Sequence, residues 1–413
     1  MLVLWPLKPF WIDEWRLLYN VKFKDSKALW GPLDFTQQFP RLFLVLLKQF
    51  THALGYSYFS LRLPAFFVSV SSMILAWRLM KRHLVLESYY KYLFVLVLVS
   101  SQTFTDYLVQ FKQYEMEIFL SLLGFWQLSV LIDLHKGISA PGRYLLLCLS
   151  LLAAPFFSYT YPIAMAPVFP VCMLLSWQAS RSGMSLSRLL YIWAPLVLLA
   201  FAIGIFYAVD VSQLMQDEAM HKYWSYRMLS AKNPWLEIPE SIWGLFAKTG
   251  SGFLFEIIFG ILGMAGLGIA IKTLWKNRNA KQDQRPWLLL LYAVLLMLGI
   301  IVLFLAGKLP LSEPKFNAFA VPAISILIIH LLDTIYEAGR KKAVLWITAL
   351  LFAGLAGNIV STVINSFTAP EYSKRVRIYK NTEQAIVKAQ QAGVPLLVTP
   401  GVAYPDDIVH VAP

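Results

Sequence analysis

Long apolar runs separated by short polar segments dominate the pattern of hydrophobic positions along this chain. Ten runs approach the roughly 20 residues that a helix needs to cross a bilayer. Long runs such as Val344 to Ile364 do not alternate between apolar and polar positions, as the strands of a membrane β-barrel do. The pattern therefore predicts an all-α polytopic membrane protein. The predicted spans are approximately 58–80, 89–106, 115–133, 143–159, 161–178, 188–209, 252–272, 287–306, 316–335 and 343–366.

Composition and charge agree with a membrane protein. Hydrophobic residues make up 58% of the 413 positions and charged residues only 14%, whereas soluble domains carry about 25% charged residues. The formal charge of +13 could suggest nucleic-acid binding, but the basic residues concentrate in the connections at every second turn. Such connections are cytoplasmic by the positive-inside rule, so topology explains the charge. The basic residues are Arg78, Lys81, Arg82 and Lys91; Lys136 and Arg143; Arg181 and Arg188; Lys272, Lys276, Arg278, Lys281 and Arg285; and Arg340, Lys341 and Lys342.

The remaining connections then belong to the outer side. They are residues 1–57, about 106–114, a short corner at Tyr159 to Tyr161, 210–250, 307–315 and the tail from 367. Ten spans place the N-terminus outside, yet nothing in Met1 to Phe10 could carry it there. We therefore expect an eleventh helix, preceding Leu2, in the full gene product.

Five regions follow from this topology: an outer segment at 1–57, a first bundle at 58–209, an outer loop at 210–250, a second bundle at 251–366 and an outer tail at 367–413. Two outer regions are predicted to be structured. Residues 40–54 read as a helix lying in the membrane interface, with Leu42, Leu46 and Phe50 on one face and Arg41 and Lys48 elsewhere. The tail predicts a small soluble α/β unit, with a helix around 379–391 and a strand at 395–399.

The first candidate for chemistry is the run Trp11-Ile12-Asp13-Glu14-Trp15-Arg16. Asp13 and Arg16 would share a face of a helical turn. The pair supplies a base or cation ligand beside a group that binds phosphate in a bidentate manner. The simpler alternative is a helix start with first-turn acids and an ordinary surface arginine.

Further candidates lie in three other outer turns. The segment from Asp106 to Glu117 is acidic, and Asp106 is its strongest candidate because glutamates at the edge of a span are usually interfacial. The hydroxyl-rich corner at 158–161 can line a cavity or be a plain connection. In the segment from Lys308 to Phe316 a lysine can hold a lipid phosphate or simply snorkel to the membrane surface.

The glycines at 260, 263, 266 and 268 lie inside an apolar run and indicate close helix packing rather than a nucleotide loop.

Together these features resemble the membrane glycosyltransferases of the GT-C superfamily, in particular the bacterial relatives of protein O-mannosyltransferases and aminoarabinose transferases (glycosyltransferase family 39-like). The resemblance covers nearly the whole chain. It rests on Asp13-Glu14-x-Arg16; Gly31-Pro32 and Phe39-Pro40 before the interfacial helix; Gly55 and Arg62-Leu63-Pro64; Asp106 and Tyr114; Ser158-Tyr159-Thr160-Tyr161, where members often carry Tyr-Thr-His-Tyr; and Lys315-Phe316 to Pro322, where Arg-Tyr and a later Pro are usual.

The resemblance implies that a sugar moves, with inversion, from a polyprenyl-phosphate carrier to an acceptor outside the bacterial inner membrane. The acceptor would be a cell-envelope lipid, a polysaccharide or a protein. By carry-over, Asp13 is the catalytic base, with Glu14 and Asp106 orienting it, and Asp13 and Asp106 are candidate ligands of a divalent cation, Mg or Mn. Arg16, Lys315 and Arg62 would hold the donor phosphate, and Tyr114, Tyr159 and Tyr161 would line the substrate pocket.

Departures from the family pattern bear on the phosphate ligands and the acceptor. Phe39 stands where some relatives carry lysine or histidine, Lys315 replaces arginine, and Tyr161-Pro162 replaces His-Tyr. Two alternatives remain open. A transporter or flippase of a lipid-linked sugar would share the spans and the phosphate-binding arginines, although no internal repeat is evident. A lipid-linked polysaccharide ligase or polymerase usually lacks the early Asp-Glu pair.

Overall fold

The secondary structure is helical throughout the described part of the chain. The computed structural model describes residues 12–34, 37–83, 88–108, 110–138, 140–181, 183–212, 234–250, 253–276, 284–311 and 314–368, with residues 388 and 391. These residues are 85% helical and include no strand. The chain is therefore an all-α protein over this part, as predicted. The α/β tail falls outside the described residues, apart from Lys388 and Gln391, which are helical.

The helices are numbered here in chain order. They are α1 (Ile12–Phe23), α2 (Arg41–Leu54), α3 (Tyr58–His83), α4 (Ser88–Ser100), α5 (Gln102–Tyr107), α6 (Tyr114–His135), α7 (Pro141–Ala153), α8 (Tyr161–Met165), α9 (Val168–Arg181), α10 (Leu186–Phe206), α11 (Pro234–Ala247), α12 (Phe253–Lys276), α13 (Gln284–Leu305), α14 (Val321–Glu337) and α15 (Lys341–Thr368). Short 3-10 turns occupy Ala28–Trp30, Ala154–Phe157 and Pro314–Ala320, and a π-helical turn at Tyr207–Val211 continues α10.

Each of the ten predicted spans coincides with one helix or with two consecutive helices. Seven helical stretches in the described part are long and apolar enough to cross a membrane, which identifies an integral membrane protein. They are Phe59–Lys81, Tyr114–His135, Tyr161–Arg181, Leu186–Val211, Phe253–Lys276, Pro286–Leu305 and Asn317–Glu337. The predicted spans at 89–106, 143–159 and 343–366 are helical, and their crossing of the membrane stays a prediction.

The predicted span 89–106 is broken at Ser101, between α4 and α5. Ser101 accepts a hydrogen bond through its hydroxyl from the Phe104 N–H at 3.3 Å, so it caps the start of α5. The Gln102 N–H bonds to the Thr249 carbonyl at 2.6 Å, instead of bonding within its own helix. The Ser100-Ser101 pair is a sequence signal for this break, since serine side chains compete with the helical backbone.

Two helices form the centre of the bundle. In α6 the most apolar 18-residue window is 83% buried, and in the Asn317–Glu337 stretch that contains α14 it is 78% buried. Helix α6 packs against α3, α8, α9 and α13, whereas α14 packs against α4, α12, α13 and α15. The corresponding windows of α10 and α12 are only 33% buried, so these two helices lie at the periphery of the bundle. Helices that are apolar all round are the ones that can occupy such central positions.

The glycine pattern of α12 allows close approach of its neighbours, as predicted, at three of the four positions. A Cβ at Gly260 would meet Trp243 and one at Gly263 would meet Phe246, both in α11. A Cβ at Gly266 would lie 2.6 Å from the Leu327 carbonyl oxygen in α14. Gly268 faces open space, so its absence of a side chain has no packing role.

Replacing Gly266 by alanine is expected to lower the free energy of unfolding by about 1–3 kcal/mol, because backbone rather than a flexible side chain blocks the added methyl group. Gly268→Ala is the matched control on the same helix, and it should leave stability unchanged or slightly raised. Thermal unfolding of both variants in detergent measures the difference. Equal stabilities would contradict the close contact between α12 and α14.

The outer segment forms a small core of its own over the end of the bundle. Helix α2 confirms the helix predicted at 40–54. Its Phe43, Leu44 and Leu47 are buried, whereas Leu46 on the predicted apolar face is 50% exposed. An exposed apolar edge beside a buried face suits a helix that lies in the membrane interface. The core comprises Leu17, Val21, Leu29, Phe39, Phe43, Leu44, Leu47, Leu61 and Phe111.

Candidate functional site

The described parts of the segments 12–57, 106–114, 158–161 and 314–320, with the end of α10 at Asp210, meet at one end of the bundle, which is called the site end below. At this end α3 and α6 begin and α10 finishes. The α1 helix is tied to the turn before α6 by a hydrogen bond from the Phe111 N–H to Glu14 Oε1, at 3.1 Å. The start of α2 is tied to the end of α10 through Arg41 and Asp210.

Glu14, the second acid of the Asp13-Glu14 pair, is fully buried. Its carboxylate accepts the Phe111 N–H and so joins the first outer segment to the second outer turn. Asp13 lies one residue earlier in α1 and Arg16 two residues later; the Arg16 side chain is partly buried. The side chain of Asp13 lies outside the described part, so the structure gives its place in the helix and not its contacts.

Asp106 and Lys315 belong to neighbouring segments. Asp106 is in α5, which packs against α6 and against the Pro314–Ala320 turn that contains Lys315. The structure therefore brings together the backbones of segments that are separated by about two hundred residues. The side chains of both residues lie outside the described part.

Tyr114 and Arg62 belong to α6 and α3, two helices that pack against each other. The Tyr114 ring lies against the Tyr107 ring, with centroids 4.3 Å apart, and Lys112 Nζ is 5.8 Å from the Tyr114 centroid. Arg62 is fully buried in α3, although it was predicted to hold a lipid phosphate. A buried arginine in a membrane bundle is costly unless it meets compensating groups.

The glutamates at the start of α6 are not solvated edge charges. Glu115 is 1% exposed and Glu117 is 4% exposed. Ser69 of α3 donates a hydrogen bond to Glu115 Oε2 at 2.8 Å, and the Thr160 side chain hydrogen bonds to Glu117. The sequence favoured an interfacial position because both residues begin an apolar run, and it did not show that α3 and the 158–161 corner cover them.

The corner at 158–161 is a tight polar turn. Ser158 Oγ accepts hydrogen bonds from the N–H groups of Thr160 and Tyr161, at 3.1 and 3.2 Å, which fixes the start of α8. Tyr161 points into the bundle, where its hydroxyl donates to Gln127 Oε1 at 2.8 Å. Tyr161, one of the three tyrosines predicted to line the substrate pocket, therefore makes its hydrogen bond inside the core of the bundle.

Arg41, Asp210 and Tyr159 form a buried polar cluster that was not predicted from the sequence. Arg41 Nε lies 3.4 Å from Asp210 Oδ1, with both side chains 2% exposed. The Arg41 N–H bonds to Asp210 Oδ2 at 3.1 Å, and the Tyr159 hydroxyl donates to Asp210 Oδ1 at 2.8 Å. The same hydroxyl also approaches the Phe39 carbonyl at 3.0 Å.

The local sequence explains the need for Asp210. The residue before α2 is Pro40, which has no side-chain acceptor, so the first N–H groups of α2 need a partner from elsewhere. Asp210 supplies it from the π-helical turn that extends α10. Burial, with the nearby Asp210 charge, raises the pKa of Tyr159 well above its usual value, so Tyr159 stays a donor. The sequence signal for this cluster was Asp210 itself, a lone acid at the end of a long apolar run.

The divalent cation stays a prediction. Among the described side chains, no three His, Cys, Asp or Glu residues lie together in a way that could hold a metal ion. The candidate ligands Asp13 and Asp106 are outside the side chains that the structure describes.

Comparisons with protein-family models, with curated proteins and with solved structures give no match for this chain. Its function is therefore argued from its own residues.

Proposed function

We propose that this chain is a glycosyltransferase of GT-C type that moves a sugar from a polyprenyl-phosphate donor to an extracytoplasmic acceptor. One observation carries the proposal: the hydrogen bond from the Phe111 N–H to Glu14 Oε1. It joins two acidic outer segments almost a hundred residues apart, those of Asp13 and Asp106. Transfer from a lipid-linked donor to such an acceptor needs a base at a surface reached both from lipid and from water.

The proposed reaction combines three events. A base takes the proton of the acceptor hydroxyl, the acceptor oxygen bonds to the anomeric carbon, and the bond from that carbon to the phosphate oxygen breaks. Asp13 is the proposed base, while Glu14 fixes the start of its helix. The departing polyprenyl phosphate carries away the electron pair of the broken bond, and Arg16, Lys315 and Arg62 are the proposed positive charges that stabilise it.

The sidedness of the reaction rests on the positive-inside rule. Arg143, Arg188 and Lys136 lie at the end of the bundle opposite the site end, where Arg143 pairs with Asp133 at 3.8 Å. The basic end is proposed to face the cytoplasm of a bacterium and the site end the outside. The proposed location is the inner membrane.

The test of function uses the full chain in lipid nanodiscs, a panel of polyprenyl-phosphate sugars and an envelope extract as the acceptor source. Mass spectrometry follows the release of free polyprenyl phosphate. Release that depends on both donor and extract supports a transferase. A lipid-linked sugar that is bound or moved between leaflets without release would favour the transporter, and joining of preformed polysaccharide would favour the ligase.

The proposed topology is tested by cysteine labelling in a background that lacks Cys148 and Cys172. Lys308→Cys should react with an impermeant maleimide in intact cells, because the 307–315 connection is predicted outside. Lys342→Cys is the matched control, and it should react only after the cells are opened. Both lysines are exposed in the structure, so burial cannot cause a difference. The reverse pattern would invert the proposed topology.

A further inference from the structure

Three buried polar residues follow one another at intervals of four from the N-cap of α6 into the helix: Gln113, Glu117 and Ser121. Residues four apart lie on one helical face, so these side chains form a stripe. It begins at the site end and extends over eight residues, or about 12 Å at 1.5 Å per residue. This stripe is called the α6 polar stripe below. The Thr160 side chain meets it at Glu117.

Each member of the α6 polar stripe has a buried polar atom without a hydrogen-bond partner among the described residues. The atoms are Gln113 Oε1, Glu117 Oε2 and Ser121 Oγ. Folded proteins satisfy most buried polar atoms, since each unsatisfied one costs about 1–3 kcal/mol. Three on one face, in a membrane bundle, call for a ligand that supplies the missing partners.

Ser121 differs from other buried helical hydroxyls in this chain. Ser69, Ser325 and Thr348 each donate to the carbonyl four residues earlier, at 2.8–2.9 Å. That bond is the usual solution for a serine or threonine inside a helix. The hydroxyl of Ser121 makes no such bond.

The chemistry of the stripe selects the class of ligand. It offers a carboxylate, an amide oxygen and a hydroxyl, which together accept several hydrogen bonds. A single cation holds its ligands at about 2.3–2.6 Å and cannot reach both ends of the stripe. A sugar ring carries hydroxyl groups at separate points around its rim. Exposure falls from 9% at Gln113 to 4% at Glu117 and 0% at Ser121, so the stripe is least covered at the site end.

We propose that the α6 polar stripe binds the hydroxyl groups of the transferred sugar, with Glu117 as the main acceptor and Gln113 and Ser121 on either side of it. The proposal rests on the proposed function and assigns the sugar a place on α6. It makes these residues determinants of which sugar is accepted. The donor phosphate is left to groups nearer the surface.

The test measures binding to the full chain in nanodiscs. Its probes are undecaprenyl phosphate without a sugar and a panel of undecaprenyl-phosphate monosaccharides, each displacing radiolabelled undecaprenyl phosphate. The probe used for the variants is the sugar lipid that the wild type binds most tightly. Glu117→Gln should weaken its binding about tenfold, the effect of losing one good hydrogen bond. Affinity for bare undecaprenyl phosphate should stay unchanged.

Matched controls separate this role from a structural one. Glu115→Gln changes a buried carboxylate two residues away that faces α3, and it should leave both affinities unaltered. Ser121→Ala should weaken binding of the sugar lipid and leave binding of bare undecaprenyl phosphate unchanged. Ser325→Ala is its control, because the Ser325 hydroxyl already has a hydrogen-bond partner in its own helix. The melting temperature of Ser121→Ala without ligand should be equal or higher, because a buried hydroxyl without a partner has been removed. A lower melting temperature would indicate a structural serine.

The outcomes test the sugar site on α6 separately from the proposed transferase function. Selective loss of sugar-lipid binding in Glu117→Gln and Ser121→Ala supports the inference. Equal losses for both lipids, or no loss, overturn it. A wild type that binds bare and sugar-bearing lipids equally also overturns it, while leaving the proposed function to the release assay. A wild type that binds neither lipid contradicts both.

Discussion

Asp13→Asn is expected to reduce sugar transfer by a factor of about 10²–10⁴, the contribution of a positioned general base. Asparagine has the size of aspartate but cannot take a proton from the acceptor hydroxyl. Glu14 and its bond to Phe111 remain, so the fold of the outer segment should persist. The measurement is the rate of polyprenyl phosphate release with saturating donor, together with donor affinity, which should change little.

Asp34→Asn is the control for this prediction. Asp34 belongs to the same outer segment, its side chain is 49% exposed, and it pairs with Lys24 at 3.2 Å. Transfer by this variant should match the wild type. Full activity in Asp13→Asn would remove Asp13 as the base and would move attention to Asp106.

Asp210→Ala is expected to lower the free energy of unfolding by about 3–5 kcal/mol, because it leaves the Arg41 charge buried without its partner. Arg41 and Asp210 are both 2% exposed, so water cannot compensate for the loss. The start of α2 loses its acceptor, and Tyr159 loses the stronger of its two hydrogen bonds. Thermal and denaturant unfolding in detergent would measure the change.

Two comparisons test the origin of this effect. Asp34→Ala removes the partner of an exposed ion pair and should cost less than about 1 kcal/mol. The double change Arg41→Met with Asp210→Leu should recover most of the lost stability, since apolar side chains can replace a buried ion pair. A single Asp210→Ala variant as stable as Asp34→Ala would show that Arg41 is not held by Asp210.

Hydrophobic periodicity predicted the helices well because a bilayer leaves few alternatives to a helix. It predicted single helices where the chain breaks at Ser101 and again between α8 and α9. The break at Ser101 has a local signal in the serine pair, but it also involves a partner distant in sequence, the Thr249 carbonyl that bonds to the Gln102 N–H. A pattern read along one segment holds no information about such a partner.

In the candidate site too, local sequence predicted single segments but not the contacts between distant ones. The sequence allowed a helical turn at the Asp13-Glu14 pair, which the structure has, but it gave no sign of the hydrogen bond between Glu14 and the turn at Phe111. Arg41 was assigned to a polar face of an interfacial helix, although its partner Asp210 buries it. Glu117 was interpreted as an edge charge because the covering residue, Thr160, lies 43 positions later. Tertiary packing decides burial, and a single sequence does not display it.

The Arg41–Asp210 contact also sets an order of events during biogenesis. The two residues are 169 positions apart, so at about 5–20 residues per second Arg41 leaves the ribosome roughly 10–30 s before its partner. Throughout that interval Arg41 lacks Asp210, so the buried arrangement at the start of α2 cannot form. The first outer segment can therefore pack over the bundle in its final arrangement only once α10 has been inserted. Insertion of α10 is thus the step that completes this end of the protein.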